Sequence, residues 1–303
     1  MVTCGETYQR VVDFMNSENW TPDFNALQHS FDLAIAEDIG DGDHSSLSCL
    51  DGQKRGGARL IIKEHGIIAG VALAIHLFKY IDPTAEINVF IEDGAPIQPG
   101  DIVLEVEGNA IKLLQSERLI LNYLQRLSGI ATSTSKYAAM VEHTNCTVLD
   151  TRKTTPGLRI LEKWAVQLGG GGNHRMGLYD MIMLKDNHID FAGGILPAVE
   201  RVCAYLKSEG KDLKIEVETR DLNEVRQALE AGADRIMLDN FTPTQTVEAV
   251  ALIGDQAETE SSGGITKESL VAYAECGVDF ISIGALTHQI ASLDMSLKAI
   301  EES

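Results

Sequence analysis

The chain has 303 residues, of which 44% are hydrophobic, and carries a formal net charge of −20 with a pI near 4.7. Its length allows two domains, or one barrel with an appendage, and its hydrophobic content is ordinary for a folded protein. The strong negative charge excludes a broad basic face, so we expect neither nucleic acid nor an anionic membrane as a partner.

The cysteines and the first residues predict a cytoplasmic protein. Five cysteines are scattered along the chain without the paired spacing of a zinc site, which fits reduced and mostly buried thiols. The chain begins without the basic-then-apolar pattern of a signal peptide. Its most apolar run, residues 67–75, is too short to span a bilayer.

The first third of the chain predicts a helical segment followed by a small α/β domain. Residues 1–24 have the pattern of a short helix and linker. Residues 57–108 alternate between short strands, helices and turns, including two strands joined at Pro99–Gly100, and predict a small mixed sheet with covering helices. Between these segments, Asp41–Gly42–Asp43 could bind a metal, but a tight polar turn is favoured because the spacing does not fit a calcium loop.

A long helix and a repeated pattern of strands and helices follow. We expect the helix to start at Ser116 and to break or bend at Gly129. From residue 147 onward, short apolar runs alternate with amphipathic helices, which is typical of a parallel sheet. The runs are residues 147–151, 181–185, 214–218, 235–239, 257–261 and 279–284. Six such strands predict a complete or incomplete α/β barrel, with a doubly wound sheet as the alternative.

A basic stretch stands out in this acidic chain. Residues 151–185 hold six basic side chains and only two acidic ones. Solvated surface cations are the ordinary explanation for any single lysine or arginine. Here several of them lie beside glycine-rich turns at predicted strand ends, which indicates a site for a small, highly anionic ligand.

Polar or glycine residues follow every predicted strand of the second half. In parallel barrels the carboxyl ends of the strands open on one face, where active sites form. Ser262, Gly263 and Gly264, with Thr266 opening a helix, offer main-chain amides that suit a phosphate. A plain strand-to-helix turn is the alternative for this Gly-Gly pair. Gly284–Ala285 ends the next strand and could complete the phosphate site.

Two carboxylates end neighbouring strands. Glu218 and Asp239 facing one pocket suggest magnesium, which is held by one or two carboxylates together with substrate phosphates. As alternatives, either residue could be a surface acid, and Asp239 could cap the helix that starts near Thr242–Pro243. Glu216 lies between two apolar residues and is expected to point elsewhere.

Cationic residues of the basic stretch exceed the needs of one carboxylate. Arg152, Arg175 and Lys185, with His174, could bind a dicarboxylate, because arginine recognises carboxylates in plane. His188 is expected to support such a site rather than to touch the ligand. No nucleophile with a paired base is evident, so the pocket is interpreted as one that positions and neutralises charge.

Several segments resemble the quinolinate phosphoribosyltransferase family, the carboxylating nicotinate-nucleotide pyrophosphorylases of the type II phosphoribosyltransferases. The matching segments are EDIGDGDHSS (37–46), ERLILNYLQRLSGIAT (117–132), DTRKTTPGLRILEKWAVQLGGGGNHRMGLYDMIMLKDNHI (150–189), IEVET (215–219), IMLDNF (236–241), SSGGIT (261–266) and ISIGALTH (281–288). The resemblance covers the chain from about residue 25, and the order and spacing of the segments agree.

The resemblance implies an α/β fold in which an N-terminal α/β sandwich domain precedes an incomplete, open parallel α/β barrel. We therefore expect the sandwich over residues 25–116, the barrel over 117–287, and a C-terminal helix over 288–303 that packs on the sandwich. It also implies a homodimer in which Arg118 reaches the quinolinate of the partner subunit.

The resemblance assigns two sets of site residues. Quinolinate would be bound by Arg118, Thr151, Arg152, His174, Arg175 and Lys185. Phosphoribosyl pyrophosphate would be bound by Lys153, Glu218, Asp239, Ser262, Gly263, Gly264, Gly284 and Ala285, with Lys153, Glu218 and Asp239 as catalytic residues. Glu218 and Asp239 would hold Mg²⁺.

The implied reaction joins quinolinate to phosphoribosyl pyrophosphate and releases pyrophosphate and carbon dioxide, giving nicotinate mononucleotide for NAD biosynthesis. A related pyrophosphorylase for another heterocyclic acid is the alternative among enzymes. A barrel that serves only as a binding or scaffold protein is the alternative outside enzymes, and the filled polar strand ends argue against it.

Overall fold

The strands of the chain belong to two separate units. The computed structural model describes residues 20–300, so most of the helix predicted within residues 1–24 lies outside the described residues. The first unit is the described part of Met1–Ser135, Thr155–Gly170 and Leu286–Ser303, and the second is Lys136–Thr154 with Gly171–Ala285.

An antiparallel sheet forms the centre of the first unit. Its strand order is β12–β1–β5–β3, and a separate two-stranded ladder joins β2 to β4. The strands are β1 (Arg55–Ile62), β2 (Gly66–Ile67), β3 (Glu86–Val89), β4 (Pro96–Ile97), β5 (Ile102–Asn109) and β12 (Met295–Ile300). Alternate residues of β1 are buried, so one face of the sheet lies on the core. The sheet is thus antiparallel rather than mixed, and the strands on either side of Pro99–Gly100 pair with other strands instead of with each other.

Helices cover this sheet and extend the unit. They are α1 (Gln28–Ile39), preceded by a 3₁₀ turn, α2 (His44–Cys49), α3 (Val71–Ile81), α4 (Ala110–Val141), α5 (Arg159–Leu168) and α11 (Ala285–His288). Asp43 is the N-cap of α2, where its Oδ1 accepts a hydrogen bond from the Ser46 N–H at 3.1 Å. This cap agrees with the polar turn predicted at Asp41–Gly42–Asp43. Among the described helices, none combines the length and apolar character that a membrane crossing requires.

The predicted C-terminal helix over residues 288–303 is wrong. Met295–Ile300 form strand β12, which pairs antiparallel with β1. Met295 and Leu297 are buried, while Lys298 is exposed. Alternating burial of this kind is the period of a half-buried strand, and the short segment leaves little sequence from which to distinguish it from a helix.

Helix α4 starts earlier than predicted and is continuous. Asn109 ends β5 and accepts a hydrogen bond from the Lys112 N–H through Oδ1 at 3.1 Å, so it provides the start signal that was assigned to Ser116. The helix also continues through Gly129, where a break or bend was predicted, so there is no break. A Cβ atom at Gly129 would collide with the main-chain oxygen of Ala291. Glycine therefore allows a close approach of two backbones here and does not end the helix.

We expect Gly129→Ala to destabilise the protein, although alanine favours a helix by about 1 kcal/mol over glycine. The collision with a main-chain carbonyl is a form of overpacking, which costs about 1–3 kcal/mol and outweighs the helix preference. Urea unfolding would measure the free energy difference. Gly52→Ala is the matched control, because a Cβ atom there meets nothing within 4 Å. A Gly129→Ala variant as stable as the wild type would contradict this explanation.

A parallel six-stranded sheet forms the second unit. Its strand order is β6–β11–β10–β9–β8–β7, and every neighbouring pair is parallel. The strands are β6 (Thr147–Leu149), β7 (Ile182–Leu184), β8 (Ile215–Thr219), β9 (Arg235–Asp239), β10 (Glu258–Ser262) and β11 (Phe280–Ser282). Consecutive strands from β7 to β11 are neighbours, which excludes the doubly wound alternative. Within residues 20–300 no ladder joins β6 to β7, so the barrel is open, as predicted.

Helices alternate with these strands. They are α6 (Asp186–Ala192), α7 (Ile195–Glu209), α8 (Leu222–Ala231), α9 (Pro243–Ile253) and α10 (Leu270–Ala274). Gly210 and Gly232 end α7 and α8 in the left-handed conformation, which turns the chain into the next strand.

Candidate active site

The carboxyl ends of the parallel strands bring three predicted site residues, Glu218, Asp239 and Ser262, to one edge. Asp239 aligns with Ser262 across β9 and β10. Thr219, the residue after Glu218, aligns with Leu238, the residue before Asp239. Because parallel strands in register end together, these polar side chains start from the same edge of the sheet.

Lys185 and Glu218 form an ion pair at this edge. The Nζ atom of Lys185 lies 2.6 Å from Oε2 of Glu218, and the carboxylate is largely buried whereas the lysine is half-exposed. The main-chain N–H of Lys185 donates to Nδ1 of His188 at 3.0 Å, which anchors the start of α6. His188 thus supports the position of Lys185, in line with the supporting role expected for it.

Asp239 lies close to this ion pair and is electrostatically strained. Burial raises the pKa of Asp239, the negative charge of Glu218 raises it further, and Lys185 partly opposes the effect. Asn240 donates from Nδ2 to Oδ2 of Asp239 at 2.7 Å. The N-cap of α9 is Thr242, so the alternative role of Asp239 as a helix cap is excluded. Two carboxylates that repel each other beside a single lysine suit an added cation.

The glycine-rich turn after β10 has a left-handed backbone conformation. Gly263 and Gly264 have φ angles of 93° and 61°, which other residues rarely adopt. A Cβ atom at Gly263 would also collide with the side chain of Asn240. The expectation that Thr266 opens a helix is wrong, because α10 begins at Leu270 and the Thr266 N–H already donates to Oγ of Ser269 at 3.0 Å. A phosphate would therefore be bound by the turn itself. Gly284 and Ala285 follow β11 at the same edge.

Arg175 and Arg152 are a like-charged pair. Arg175 is buried, with 9% of its surface exposed, and its Nη1 donates to the main-chain oxygen of Met181 at 3.1 Å. Burial lowers the pKa of Arg175, and the positive charge of Arg152 lowers it further. A carboxylate between the two guanidinium groups would relieve this repulsion.

Thr151 and Arg118 are two other residues predicted to bind quinolinate. Oγ1 of Thr151 accepts from the Lys153 N–H at 3.0 Å, which shapes the loop that carries Arg152 and Lys153. Arg118 is exposed on α4 and belongs to the first unit.

His174 lies in a buried acidic cluster that was not predicted. Its Nε2 atom lies 3.1 Å from Oε2 of Glu216 and 3.4 Å from Oε2 of Glu260, and both glutamates are fully buried. The expectation that Glu216 points elsewhere is wrong. Glu216 and Glu218 are two residues apart in a strand, so their side chains share one face. Arg235 completes the cluster, with Nη1 at 3.3 Å from Oε2 of Glu260.

The protonation of His174 is set by two opposing influences. Burial lowers the pKa of His174, but the hydrogen bonds and charges of Glu216 and Glu260 outweigh it and would raise the pKa to about 9. However, the Arg175 N–H donates to Nδ1 of His174 at 2.7 Å, so Nδ1 cannot carry a proton of its own. An N–H cannot face another N–H at that distance, so we assign a single proton, at Nε2.

A sequence signal for this cluster exists in hindsight. The strands IEVET and ETESS carry glutamates among residues that are almost all buried. Charged residues in a buried strand must be paired, so their presence indicates an internal network. The sequence does not show which partner each glutamate has, because His174 comes from a distant loop.

Comparisons with known proteins identify the family of the chain. Two family models, described as the C-terminal and N-terminal domains of quinolinate phosphoribosyl transferase, match residues 130–298 and 43–128. The "Nicotinate-nucleotide pyrophosphorylase [carboxylating], chloroplastic" of Arabidopsis thaliana is 46% identical over 282 residues, covering 88% of this chain and 80% of the relative. The "Probable nicotinate-nucleotide pyrophosphorylase [carboxylating]" of Bacillus subtilis is 44% identical over 271 residues, covering 89% and 91%.

Solved structures give the same result. The nicotinate-nucleotide pyrophosphorylase from Francisella tularensis is 37% identical, with a TM-score of 0.87 over 94% of this chain and 99% of that chain. The chain belongs to the quinolinate phosphoribosyltransferase family, and it is a phosphoribosyltransferase.

Proposed function

We propose that the chain converts quinolinate and phosphoribosyl pyrophosphate into nicotinate mononucleotide, pyrophosphate and carbon dioxide. The side chains that meet at the carboxyl edge of the parallel sheet perform this reaction. Quinolinate is held by the quinolinate set (Arg152, Arg175 and Lys185). Phosphoribosyl pyrophosphate is held by the phosphate set (Lys153, Glu218, Asp239 and the turns at 262–264 and 284–285). The observation that carries the proposal is the 2.6 Å ion pair between Lys185 and Glu218, because it joins one member of each set.

Charge neutralisation is the main task of these residues. When the bond between the ribose carbon and pyrophosphate breaks, positive charge grows on the carbon and negative charge on the leaving group. Lys153 neutralises the leaving group while the ring nitrogen of quinolinate forms the new bond. The quaternary nitrogen then stabilises the carbanion left when the adjacent carboxylate departs as carbon dioxide, and a proton replaces it. The cations hold that carboxylate until it leaves.

Magnesium fits the acidic half of this site. Glu218 and Asp239 offer carboxylate oxygens, the donors that Mg²⁺ prefers, and the charge of Glu218 raises the pKa of Asp239. A bound Mg²⁺ would relieve that repulsion and would supply charge neutralisation to the pyrophosphate group.

The direct experiment mixes the purified chain with quinolinate, phosphoribosyl pyrophosphate and Mg²⁺. We expect carbon dioxide and nicotinate mononucleotide to form in equal amounts. Nicotinate in place of quinolinate should react much more slowly, because it lacks one of the two carboxylates that the cations bind. Equal turnover of both acids would favour the alternative, a pyrophosphorylase with a different heterocyclic acid as its substrate.

We also propose a cytoplasmic homodimer in which Arg118 reaches the active site of the partner subunit. The exposure of Arg118 on α4, outside the unit that holds the other site residues, supports this assignment. The cytoplasmic location stays a prediction from the sequence, and the Arabidopsis relative is named as chloroplastic.

Mixing two inactive variants tests the sharing of Arg118. Arg118→Ala and Asp239→Ala should each be nearly inactive alone. After the subunits are exchanged in a 1:1 mixture, half of the dimers pair the two variants, and each of those has one intact site. We therefore expect activity to return to about one quarter of the wild-type value. No recovery in a mixture shown to contain mixed dimers would exclude a shared Arg118.

A further inference from the structure

We propose that Glu216 and Glu260 are positioning residues that act on quinolinate through His174 and Arg175. They hold the proton of His174 at Nε2, so that Nδ1 accepts the main-chain N–H of Arg175 and fixes the backbone that carries this arginine. The inference rests on the proposed function, in which Arg175 binds a carboxylate of quinolinate.

The two glutamates determine where the ring proton lies. Nε2 of His174 lies within 3.4 Å of a carboxylate oxygen from each of them. Nδ1 is occupied by the Arg175 N–H, so the neutral ring carries its proton at Nε2, the atom that faces both glutamate side chains. All three side chains are at least 95% buried, so their contacts are shielded from bulk solvent.

The other ring nitrogen of His174, Nδ1, links the position of the ring proton to the backbone of Arg175. Nδ1 of His174 accepts the N–H of Arg175 at 2.7 Å, which requires a lone pair at Nδ1. On the other side, the N–H of His174 donates to Oδ1 of buried Asp150 at 2.9 Å. The main chain at 174–175 is thus held from both sides, and the guanidinium of Arg175 extends from it to the oxygen of Met181. In this proposal His174, with 5% of its surface exposed, acts through Arg175, whose guanidinium carries the positive charge that binds a carboxylate.

A metal ion is the competing explanation for this cluster. Ligand atoms of His174, Glu216 and Glu260 lie within 4.8 Å of one another. The guanidinium of Arg235 already reaches Glu260 at 3.3 Å and also bonds Glu258 at 2.8 and 3.0 Å. A divalent cation would therefore lie close to a buried positive charge that already balances one glutamate, which opposes its binding.

The test compares two glutamates of the same strand. Glu260→Gln removes a carboxylate that touches both His174 and Arg235, whereas Glu258→Gln removes one that touches Arg235 but not His174. We expect Glu260→Gln to raise KM for quinolinate about tenfold, the loss of one hydrogen bond to a charged group. KM for phosphoribosyl pyrophosphate and kcat should stay within about twofold. Glu258→Gln should leave both KM values unchanged.

A second pair of variants serves if Glu260→Gln does not fold. His174→Asn keeps an acceptor near the position of Nδ1, and His174→Gln keeps a donor near that of Nε2. We expect KM for quinolinate to rise less in His174→Asn than in His174→Gln, because only the former can still accept the Arg175 N–H. The reverse order would overturn the proposal.

Nitrogen NMR of histidine-labelled protein gives an independent readout. We expect a proton on Nε2 of His174 and none on Nδ1 at neutral pH. A proton on Nδ1 or an equal rise of both KM values in Glu260→Gln would each overturn the proposal. So would a stoichiometric metal ion that is lost in Glu260→Gln but kept in Asp239→Asn, because that ion would lie at His174 and its two glutamates. A different result would contradict the proposed function itself, namely an Arg175→Ala variant whose KM for quinolinate is unchanged.

Discussion

Replacing Arg175 with alanine is expected to lower kcat/KM for quinolinate by about two to three orders of magnitude. The reason is that Arg175 is a buried cation beside a second one, Arg152, and a quinolinate carboxylate between them would offset their mutual repulsion. Affinity for phosphoribosyl pyrophosphate should change by less than about threefold, because the phosphate set lies on other strand ends. Steady-state kinetics with each substrate varied in turn would measure both effects.

Selectivity gives this prediction a second measurement. If Arg175 binds one of the two carboxylates, its loss should lower the rate with quinolinate far more than the slow rate with nicotinate. The ratio of the quinolinate rate to the nicotinate rate should therefore fall. Arg175→Lys keeps the charge but not the planar fork, and we expect it to recover only part of the activity. Thermal unfolding must accompany the kinetics, since alanine also removes the hydrogen bond to Met181. Equal losses for quinolinate and phosphoribosyl pyrophosphate would assign Arg175 to general structure instead of to the diacid.

The strand-and-helix pattern of the second unit is predictable because its signals are local. Buried strands of a parallel sheet are short apolar runs, and glycine at Gly210 and Gly232 marks helix ends through its own backbone freedom. The register that places Asp239 beside Ser262 follows from the same alternation. Fold and approximate site are therefore within reach of sequence reasoning.

The predictions from sequence are wrong where a residue far away in the chain determines the local structure. Gly129 has the local preference of a helix breaker, but a carbonyl from residue 291 decides its role. The strand Met295–Ile300 exists because β1 offers an edge to pair with, which no local signal in the segment announces. In each case the tertiary contact outweighs the intrinsic preference of a short segment.

Charged residues inside strands show the same limit at the site. The ion pair of Lys185 with Glu218 and the contacts of His174 with Glu216 and Glu260 join residues that are 33 or more positions apart. Spacing predicts the edge of the sheet at which such side chains emerge, but not which of them touch. The apolar neighbours of Glu216 led to a wrong prediction of its direction. Its spacing of two residues from Glu218 places both side chains on the same face of the strand.

Asp239→Asn is expected to lower kcat/KM for phosphoribosyl pyrophosphate by about two to three orders of magnitude and to raise the Mg²⁺ concentration needed for half-maximal rate. Asparagine keeps the shape of the side chain but removes the charge that would hold the metal and its diphosphate. The raised pKa of Asp239 shows that burial and the charge of Glu218 disfavour its ionised form in the absence of a ligand. Removing that charge should therefore leave the thermal midpoint of unfolding unchanged or higher, as when a functional site is relieved of strain.

A loss of activity without a loss of stability distinguishes a binding carboxylate from a structural one. Asp234→Asn is the matched control, because Asp234 lies just before the amino end of the same strand and accepts a hydrogen bond from the Ile215 N–H at 2.7 Å. It should lower the thermal midpoint while leaving the Mg²⁺ dependence as it was. If Asp239→Asn keeps full activity at limiting Mg²⁺, Asp239 does not hold the metal, and the phosphate set must bind its substrate through Lys153 and the glycine turns alone.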